Sequence, residues 1–418
     1  MRLLHTSDWH LGHTLKEVTR EHEHASFLRW LLDTLAREAP DVLLITGDVF
    51  DSAIPPASAD RMWFDFLAAA RRARPAMVIV AIAGNHDSPA RLGAASSLLR
   101  ELGVYVVGGL PRDAKGALDF ERILIPVANG QGLVAAVPFL RPIDVSIDED
   151  DPLAAVYAEV VTEGRRRQRP DQALIVMGHL YVTGADPSVL SERRISIGGQ
   201  ESASLRMFPP EIDYVALGHM HRAQRVGRES IRYAGAPIAL ALDEAGYHHQ
   251  VAVVDFAAGR VAEIRTLPVP QTIDIVRIPA RGAASLAEVL DAIEALPPRR
   301  DGDDPTRPYL DIMIQLERPE PRLRTVIEHA LETKRPRLVQ MRILPTGTGE
   351  ALGDRVRVKL AELDPREVFA QLWARGHAEP PSAAVIGAFE RLLTEVRGDH
   401  DDPAEPAPSP QLRLGGVA

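Results

Sequence analysis

The apolar positions of this chain change period repeatedly, and the changes mark out its elements. Leu3 to Thr6, Val42 to Thr46 and Met77 to Ala83 are apolar runs of strand length. The last two are continuous, as in parallel strands covered on both faces. Between the runs the spacing turns helical. Residues 21–38 carry Phe27, Leu28, Leu31, Leu32 and Leu35 on one broad face, and residues 58–74 form a second amphipathic helix, with Ser58 as its cap and Pro75 as its stop. Val104 to Val107 is a further short strand. A second cycle follows: a strand at Leu133 to Val137, a helix at 151–168, strands at Ala173 to Met177 and Tyr214 to Leu217. Residues 231–267 read as short antiparallel strands with turns at Ala245-Gly246 and Ala258-Gly259. Two such halves predict two sheets packed together with helices outside, an α/β fold.

The pattern shifts at Pro268-Val269-Pro270. Beyond it lie a strand (Ile273 to Ile278), a helix (284–296), a strand (Leu310 to Leu316), a helix (321–334) and a strand (Leu338 to Ile343), a small β-α-β-α-β unit. A linker with Gly347, Gly349 and Gly353 leads to two amphipathic helices, 364–376 and 383–397. Asp364-Pro365 starts the first, and Val368, Phe369, Leu372 and Trp373 form its stripe; Leu392, Leu393 and Val396 end the second. The last twenty or so residues have a Pro- and Asp-rich composition that cannot supply a core.

A chain of 418 residues exceeds one average domain, so two domains and an appendage are expected. It has no cysteine, which excludes disulfides, zinc–thiolate sites and thiol nucleophiles. Any metal must be held by His, Asp, Asn and water, a donor set for manganese, magnesium, zinc or iron. The sequence starts directly with a strand, shows no signal-like apolar segment and contains no run of membrane-spanning length, so a cytoplasmic protein is expected. A net charge of −10 argues against a globally basic nucleic-acid binder, although phosphate contacts need only a local basic patch. No Gly-x-x-x-x-Gly-Lys-Ser/Thr loop is present, so ATP hydrolysis is not this chain's own reaction.

The candidate chemistry sits where the strands end. Asp8-Trp9-His10, Gly47-Asp48-Val49-Phe50-Asp51, Gly84-Asn85-His86-Asp87, Gly178-His179 and Gly218-His219-Met220-His221 each follow an apolar run. Taken singly these are ordinary: Asp-x-His is usually a surface pair, Gly-Asp a turn, Asn-His-Asp a cap. Together they place hard ligands from distant positions into one crevice, which suits two metal ions about 3.5–4 Å apart. Asp8 and His10, alternate residues of an extended segment, would share a face. Asp48, with two oxygens, is the natural bridge, Asn85 offers an amide oxygen and His179 a further imidazole. His86 directly follows Asn85 and so cannot easily point at the same ion, which makes it the candidate proton donor, with an orienting role as the alternative. Asp87 reads as a cap for the next turn, and His22 and His24 as solvated.

These segments resemble the calcineurin-like metallophosphoesterase superfamily, whose pattern is D-x-H, G-D-x-x-D, G-N-H-D/E, G-H and G-H-x-H. Within it, His5 to Gly12, Gly47 to Asp51, Gly84 to Ser88, Pro138-Phe139-Leu140-Arg141-Pro142 and Ala216 to Gln224 resemble the SbcD family of bacterial nuclease subunits. The likeness continues through Tyr233 to Pro237 and the Asp243-Glu244 turn. Phosphoprotein phosphatases are less similar, because Ser52-Ala53 stands where they have Arg-Gly.

The resemblance implies a four-layer α/β/β/α catalytic domain over 1–268, a capping α/β domain over 269–345, a linker and helix pair over 346–400 that docks an SbcC-type ATPase subunit, and a disordered tail over 401–418. It implies that Asp8, His10 and His221 hold one divalent ion and Asn85, His179 and His219 the other, with Asp48 bridging, manganese being typical and magnesium possible. It further implies His86 as general acid steered by Asp51, a homodimer, a cytoplasmic and nucleoid-associated location, and 3'→5' exonuclease and hairpin or single-strand endonuclease activity on DNA ends. Arg141, Arg193, Arg194 and Arg222 are the basic candidates for DNA contact. Two other readings stay open: a stand-alone phosphoesterase for nucleotides or other small phosphoesters, and a non-catalytic metal-binding scaffold.

Overall fold

In the computed structural model the continuous apolar runs form the centres of two sheets. The structure describes residues 1–145, 151–186, 202–302, 305–316, 318, 320–345, 365–376 and 380–396. The first half runs β1 (Arg2–Thr6), a hairpin of β2 (Thr14–Leu15) and β3 (Val18–Thr19), α1 (Glu21–Glu38), β4 (Val42–Thr46), α2 (Ala57–Ala73), β5 (Val78–Ile82), α3 (Pro89–Gly93), α4 (Ser96–Glu101) and β6 (Val104–Val107). The second runs α5 (Phe120–Ile123), β7 (Leu124–Val127), β8 (Gly132–Ala136), α6 (Pro152–Arg167), β9 (Ala173–His179), β10 (Tyr214–Gly218), β11 (Gln224–Val226) and β12 (Arg228–Tyr233). It ends in a long hairpin of β13 (Gln250–Ala257) and β14 (Arg260–Pro268).

The sheets have the orders β14-β13-β1-β4-β5-β6 and β11-β12-β10-β9-β8-β7. Residue period two then assigns each side chain to a layer. In β4, Val42 and Leu44 face the second sheet, while Leu43 and Ile45 face α1 and α2. In β9, Ala173, Ile175 and Met177 meet the first sheet, and Leu174 and Val176 pack in the core that includes α6. The result is the expected α/β/β/α sandwich. β1, β4 and β5 run parallel in one sheet and β9 and β10 in the other, so the loops that follow these strands leave at carboxyl ends, where crevices form in open α/β sheets.

Three local expectations change. β12 pairs antiparallel with β11 but parallel with β10, and β13 crosses back to pair with β1. A parallel strand and a sheet crossover are non-local choices that turn residues do not encode. α2 starts one residue before Ser58, with Pro56 at the cap position, because the fixed φ of proline already suits a helix start.

The third sheet is β15 (Ile275–Ile278), β16 (Tyr309–Leu316) and β17 (Arg337–Pro345), all parallel, with α7 (Leu286–Glu294) and α8 (Leu323–Leu331) on one face. Ser285 and Glu288 form a capping box at the start of α7. From the opposite face Tyr309 packs with Leu15, Leu242 and Ile273. Met1–Thr346 forms one compact unit.

In the second unit, α9 (Pro365–Gly376) and α10 (Ala383–Val396) contact each other: Phe369 stacks on Phe389 with ring centroids 4.2 Å apart, and Arg366 pairs with Glu390 at 2.7 Å. Leu372, Ile386 and Leu392 are exposed. The glycine linker and the segment 401–418 lie outside the described residues, as do Arg193 and Arg194. No helix among the described residues is long and apolar enough to cross a membrane.

Candidate metal centre

The loops that carry the candidate ligands are built on left-handed backbone. Asp8 (φ 53°), His10 (φ 47°), Asp48 (φ 48°) and His219 (φ 99°) all have positive φ. Asp8 and His10 therefore do not alternate along an extended segment. A left-handed turn at each brings them together, a conformation uncommon for residues with a Cβ. Backbone hydrogen bonds hold it: Asp8 N donates to Gly47 O at 3.0 Å, His10 N to Asp48 O at 3.0 Å and Leu11 N to Val49 O at 2.9 Å. Trp9, fully buried between the two ligands, anchors the loop by packing edge-on to Phe27, Trp63 and Phe66. Two glycines make room: a Cβ at Gly47 (φ 92°) would lie 2.2 Å from His179 Nδ1, and one at Gly84 would lie 2.1 Å from Asp48 Oδ1.

Two buried clusters result. Asp8, His10 and His221 offer ligand atoms within 4.8 Å of one another, and so do Asp48, His179 and His219. Asn85 joins the second, its Oδ1 lying 3.1 Å from His179 Nε2 and 2.9 Å from His219 Nδ1. Asp48 lies between the clusters. Its Oδ2 is 3.4 Å from both His10 Nε2 and His179 Nε2. A third grouping of His10, Asp51 and His86 shares His10 with the first.

The imidazoles are held from behind. His179 Nδ1 donates to Thr46 O at 2.8 Å, His10 Nδ1 faces Asp51 Oδ1 at 3.2 Å and His221 Nδ1 faces Glu244 Oε1 at 2.8 Å. Outer acceptors of this kind fix the ring and tautomer of metal-ligating histidines. Glu244 Oε2 in turn accepts from Leu240 N at 2.8 Å. His13 spans Asp51 Oδ1 (2.8 Å) and Leu240 O (2.9 Å) and forms part of this outer layer. The sequence carried no specific signal for Glu244 beyond the resembling Asp243-Glu244 turn.

His86 donates its Nδ1–H to the carbonyl oxygen of Asp51 at 2.7 Å, and its backbone N–H to Asp48 Oδ1 at 2.9 Å. Asp51 thus meets His86 through its main chain, because its carboxylate is engaged by His10 and His13. Asp87 does not cap the next turn, a task that falls to Ser88. Its buried carboxylate accepts from Gly84 N, Val49 N and Phe50 N at 2.8, 3.1 and 2.9 Å, tying two ligand loops together. His24 is buried rather than solvated, because α1 turns it inward. His5 lies between the sheets, its ring nitrogens 3.0 Å from Tyr214 Oη and from Thr46 Oγ1. His249 faces Ala236 O at 2.8 Å. Exposed Arg222 pairs with Asp186 at 3.4 Å, and Arg141 N donates to Asp144 Oδ2 at 2.8 Å.

The electrostatics ask for a cation. Burial pushes the Asp8 carboxyl up to about 6. At Asp48 burial acts in the same sense, but His179, His86 and His10 outweigh it and hold the group well below the usual carboxylate range. Burial depresses His10 to about 4 and His219 to about 3. At His179 burial also acts downward, yet Asp48 overrides it and raises the imidazole to about 9. The largest charged influences are His179, His221 and Asp48 on Asp8, and His179, His86 and His10 on Asp48. His10 Nε2 is buried without a hydrogen-bond partner, turned to Asp48. An unpartnered imidazole nitrogen beside a buried carboxylate is costly in a dry pocket and is the donor arrangement a divalent ion satisfies. The residues present therefore fit two divalent ions.

Paired sheets with two ligand clusters at their carboxyl edge define a class of metal-dependent hydrolase. Residues 1–223 match the calcineurin-like phosphoesterase family, and residues 271–376 match a family described as type 5 capsule protein repressor C-terminal domain. The chain is 40% identical over 362 residues to the SbcD component of the SbcCD nuclease from Rhodobacter capsulatus, covering 82% of this chain and 87% of that protein. It is 31% identical over 418 residues to the same component from Escherichia coli K12, covering 96% and 100%. The counterpart from Bacillus subtilis is 36% identical over 277 residues, covering 63% and 68%. The chain belongs to the SbcD family of calcineurin-like metallophosphoesterases.

Proposed function

We propose that this chain is the nuclease subunit of an SbcCD-type complex, cleaving DNA at double-strand ends as a 3'→5' exonuclease and at hairpins or single strands as an endonuclease. The observation that carries the reading is the placement of Asp48 Oδ2 at 3.4 Å from an imidazole nitrogen of each cluster. In this assignment Asp8, His10 and His221 hold one ion, Asn85, His179 and His219 the other, and Asp48 bridges. Manganese is the metal we assign, by family likeness. When bound, two such ions neutralise phosphodiester oxygens and lower the pKa of water towards neutrality.

The chain's own residues supply the rest. His86 is the proton source for the leaving oxygen. The Asp51 carbonyl keeps a hydrogen on Nδ1, so Nε2 is the nitrogen that holds and releases the proton. The Asp51 carboxylate orients His10 and steadies His13. Asp87 locks the Asn85–His86 turn to the Asp48–Asp51 turn, which keeps acid and bridging ligand in register.

Residues 1–268 are assigned as the catalytic domain and 269–345 as the cap that admits DNA ends. Residues 346–400, with the exposed Leu372, Ile386 and Leu392, are assigned as the docking segment for the ATPase subunit. The relatives' shared name supports the partner and the substrate, and a homodimer follows from the same likeness. The test offers the purified chain linear duplex DNA, hairpin DNA and nucleoside phosphates with manganese, with and without the ATPase subunit, and with Asp48→Ala as control. Cleavage of the DNAs lost in Asp48→Ala is expected. Cleavage of nucleoside phosphates alone would replace this reading with the small-substrate one.

A further inference from the structure

Between the cap sheet and the ligand clusters lies one short segment, Ala239 to Glu244, that is bonded on both sides. On the ligand side, Leu240 O faces His13 Nε2 at 2.9 Å, and Glu244 joins His221 Nδ1 to Leu240 N at 2.8 Å each. On the cap side, Arg20 donates to Ala239 O at 2.7 Å, Arg277 donates to Leu242 O, and Leu242 packs against Tyr309. Arg20 is itself clamped by Glu23, whose Oε2 accepts the Tyr309 hydroxyl at 2.6 Å. The Arg20 guanidinium lies over the Tyr309 ring at 5.2 Å.

Arg20, Glu23, Tyr309 and Glu244 are all nearly inaccessible to solvent. A buried charge-assisted network is strong only when complete, since each member lost leaves an unpaired polar group. It is also a rigid element of the kind that couples sites when both bias its arrangement. The paths from the cap to the ligands are short. Tyr309 fixes Glu23 and Arg20, and Arg20 fixes Ala239 next to Leu240. Leu240 then bears on His221 through Glu244, and on His10 through His13 and Asp51.

We propose that Tyr309, although carried by the cap sheet, is a positioning residue for the His221 and His10 ligands, acting through Glu23, Arg20 and the 239–244 segment. The seating of the cap is thereby read as the strength of metal binding in the Asp8–His10–His221 cluster. The inference rests on the two-metal assignment above.

The test is a titration of the metal-free full chain with manganese, followed by calorimetry and by the electron paramagnetic resonance of the bound ion. Tyr309→Phe keeps the ring and removes only the hydroxyl. Ile327→Val, in the core of the cap away from Tyr309, serves as a matched control for cap stability. The wild type is expected to bind two ions. Tyr309→Phe should weaken one of them roughly threefold to tenfold, less than loss of a group touching the ligand itself. Its resonance spectrum should change, and Ile327→Val should show neither effect. Glu23→Gln should reproduce Tyr309→Phe, and the double variant should add little, as expected for one coupled path. Two ions bound equally tightly in the wild type and in Tyr309→Phe would overturn the coupling and leave the two-metal reading standing. Failure of the wild type to bind two ions would overturn that reading and the coupling with it. Equal weakening in Ile327→Val would reduce Tyr309 to a structural role and also overturn the proposal.

Discussion

His86 Nδ1 lies 2.7 Å from the carbonyl oxygen of Asp51, while the carboxylate of the same residue faces His10 and His13. One residue therefore serves the acid with its main chain and a ligand with its side chain, and substitution separates the two. His86→Ala should keep metal binding and lower kcat by about 10²–10⁴, the usual contribution of a general acid. Asp51→Asn keeps the carbonyl, so it should weaken metal binding while the single-turnover rate at saturating metal stays near that of the wild type. Calorimetric titration beside single-turnover kinetics checks both. Full turnover by His86→Ala would sink the acid assignment.

Glu244 is buried and holds His221 through one oxygen and Leu240 N through the other. Gln in its place has only one acceptor oxygen for two donors. Metal affinity in Glu244→Gln should fall about 10–100-fold, the range for outer groups that orient metal-bound histidines. A manganese titration reads the change, and unaltered affinity would show that His221 is oriented by other contacts.

Gly84 lies against Asp48 so closely that an added Cβ would sit 2.1 Å from Oδ1. Gly84→Ala must displace the bridging carboxylate or its own loop. A loss of about 1–3 kcal/mol in stability, typical of overpacking, and loss of metal-dependent cleavage are expected. Denaturant unfolding with and without metal separates the two effects.

His24 contributes to the pH dependence of folding. Burial holds its imidazole down to about 3. The unfolded chain binds that proton near pH 6.5 and the folded chain near 3, so stability is fully present above 6.5 and is lost as pH falls through this window. His5, buried between the sheets and likewise depressed to about 3, acts with the same sign. His24→Leu should remove one proton's worth of slope, about 1.4 kcal/mol per pH unit below about 6.5. Unfolding followed between about pH 7 and 5 in chelator checks it; an unchanged slope would mean that His24 charges without cost in the fold.

The sequence was informative where chemistry or periodicity is local. Strand cores such as Val42 to Thr46 and the helices near 365–376 and 383–396 were readable from spacing. The ligand types and their position after strands were readable from composition and order alone, and the resemblance added their grouping. The rest depended on contacts between distant residues. The return of β13 to β1, the inward turn of His24, and the use of Asp87 as a clip between loops follow from packing that no local window contains. The left-handed turns at Asp8 and His10 run against local preference. Such violations are expected where a site overrides the scaffold. Glu244 lacked a motif of its own, because an outer carboxylate needs only to be within reach.

The candidate ligands come from both halves of the sandwich: Asp8, His10, Asp48 and Asn85 follow strands of the first sheet, while His179 ends a strand of the second and His219 and His221 follow another. Ions bound there would act as rivets across the seam between the sheets. Each ion present at about a hundred times its dissociation constant adds about 2.7 kcal/mol to the folded state. The shelf life of the protein, and its survival of heat or protease, would then track the metal content of its surroundings as closely as its catalysis does.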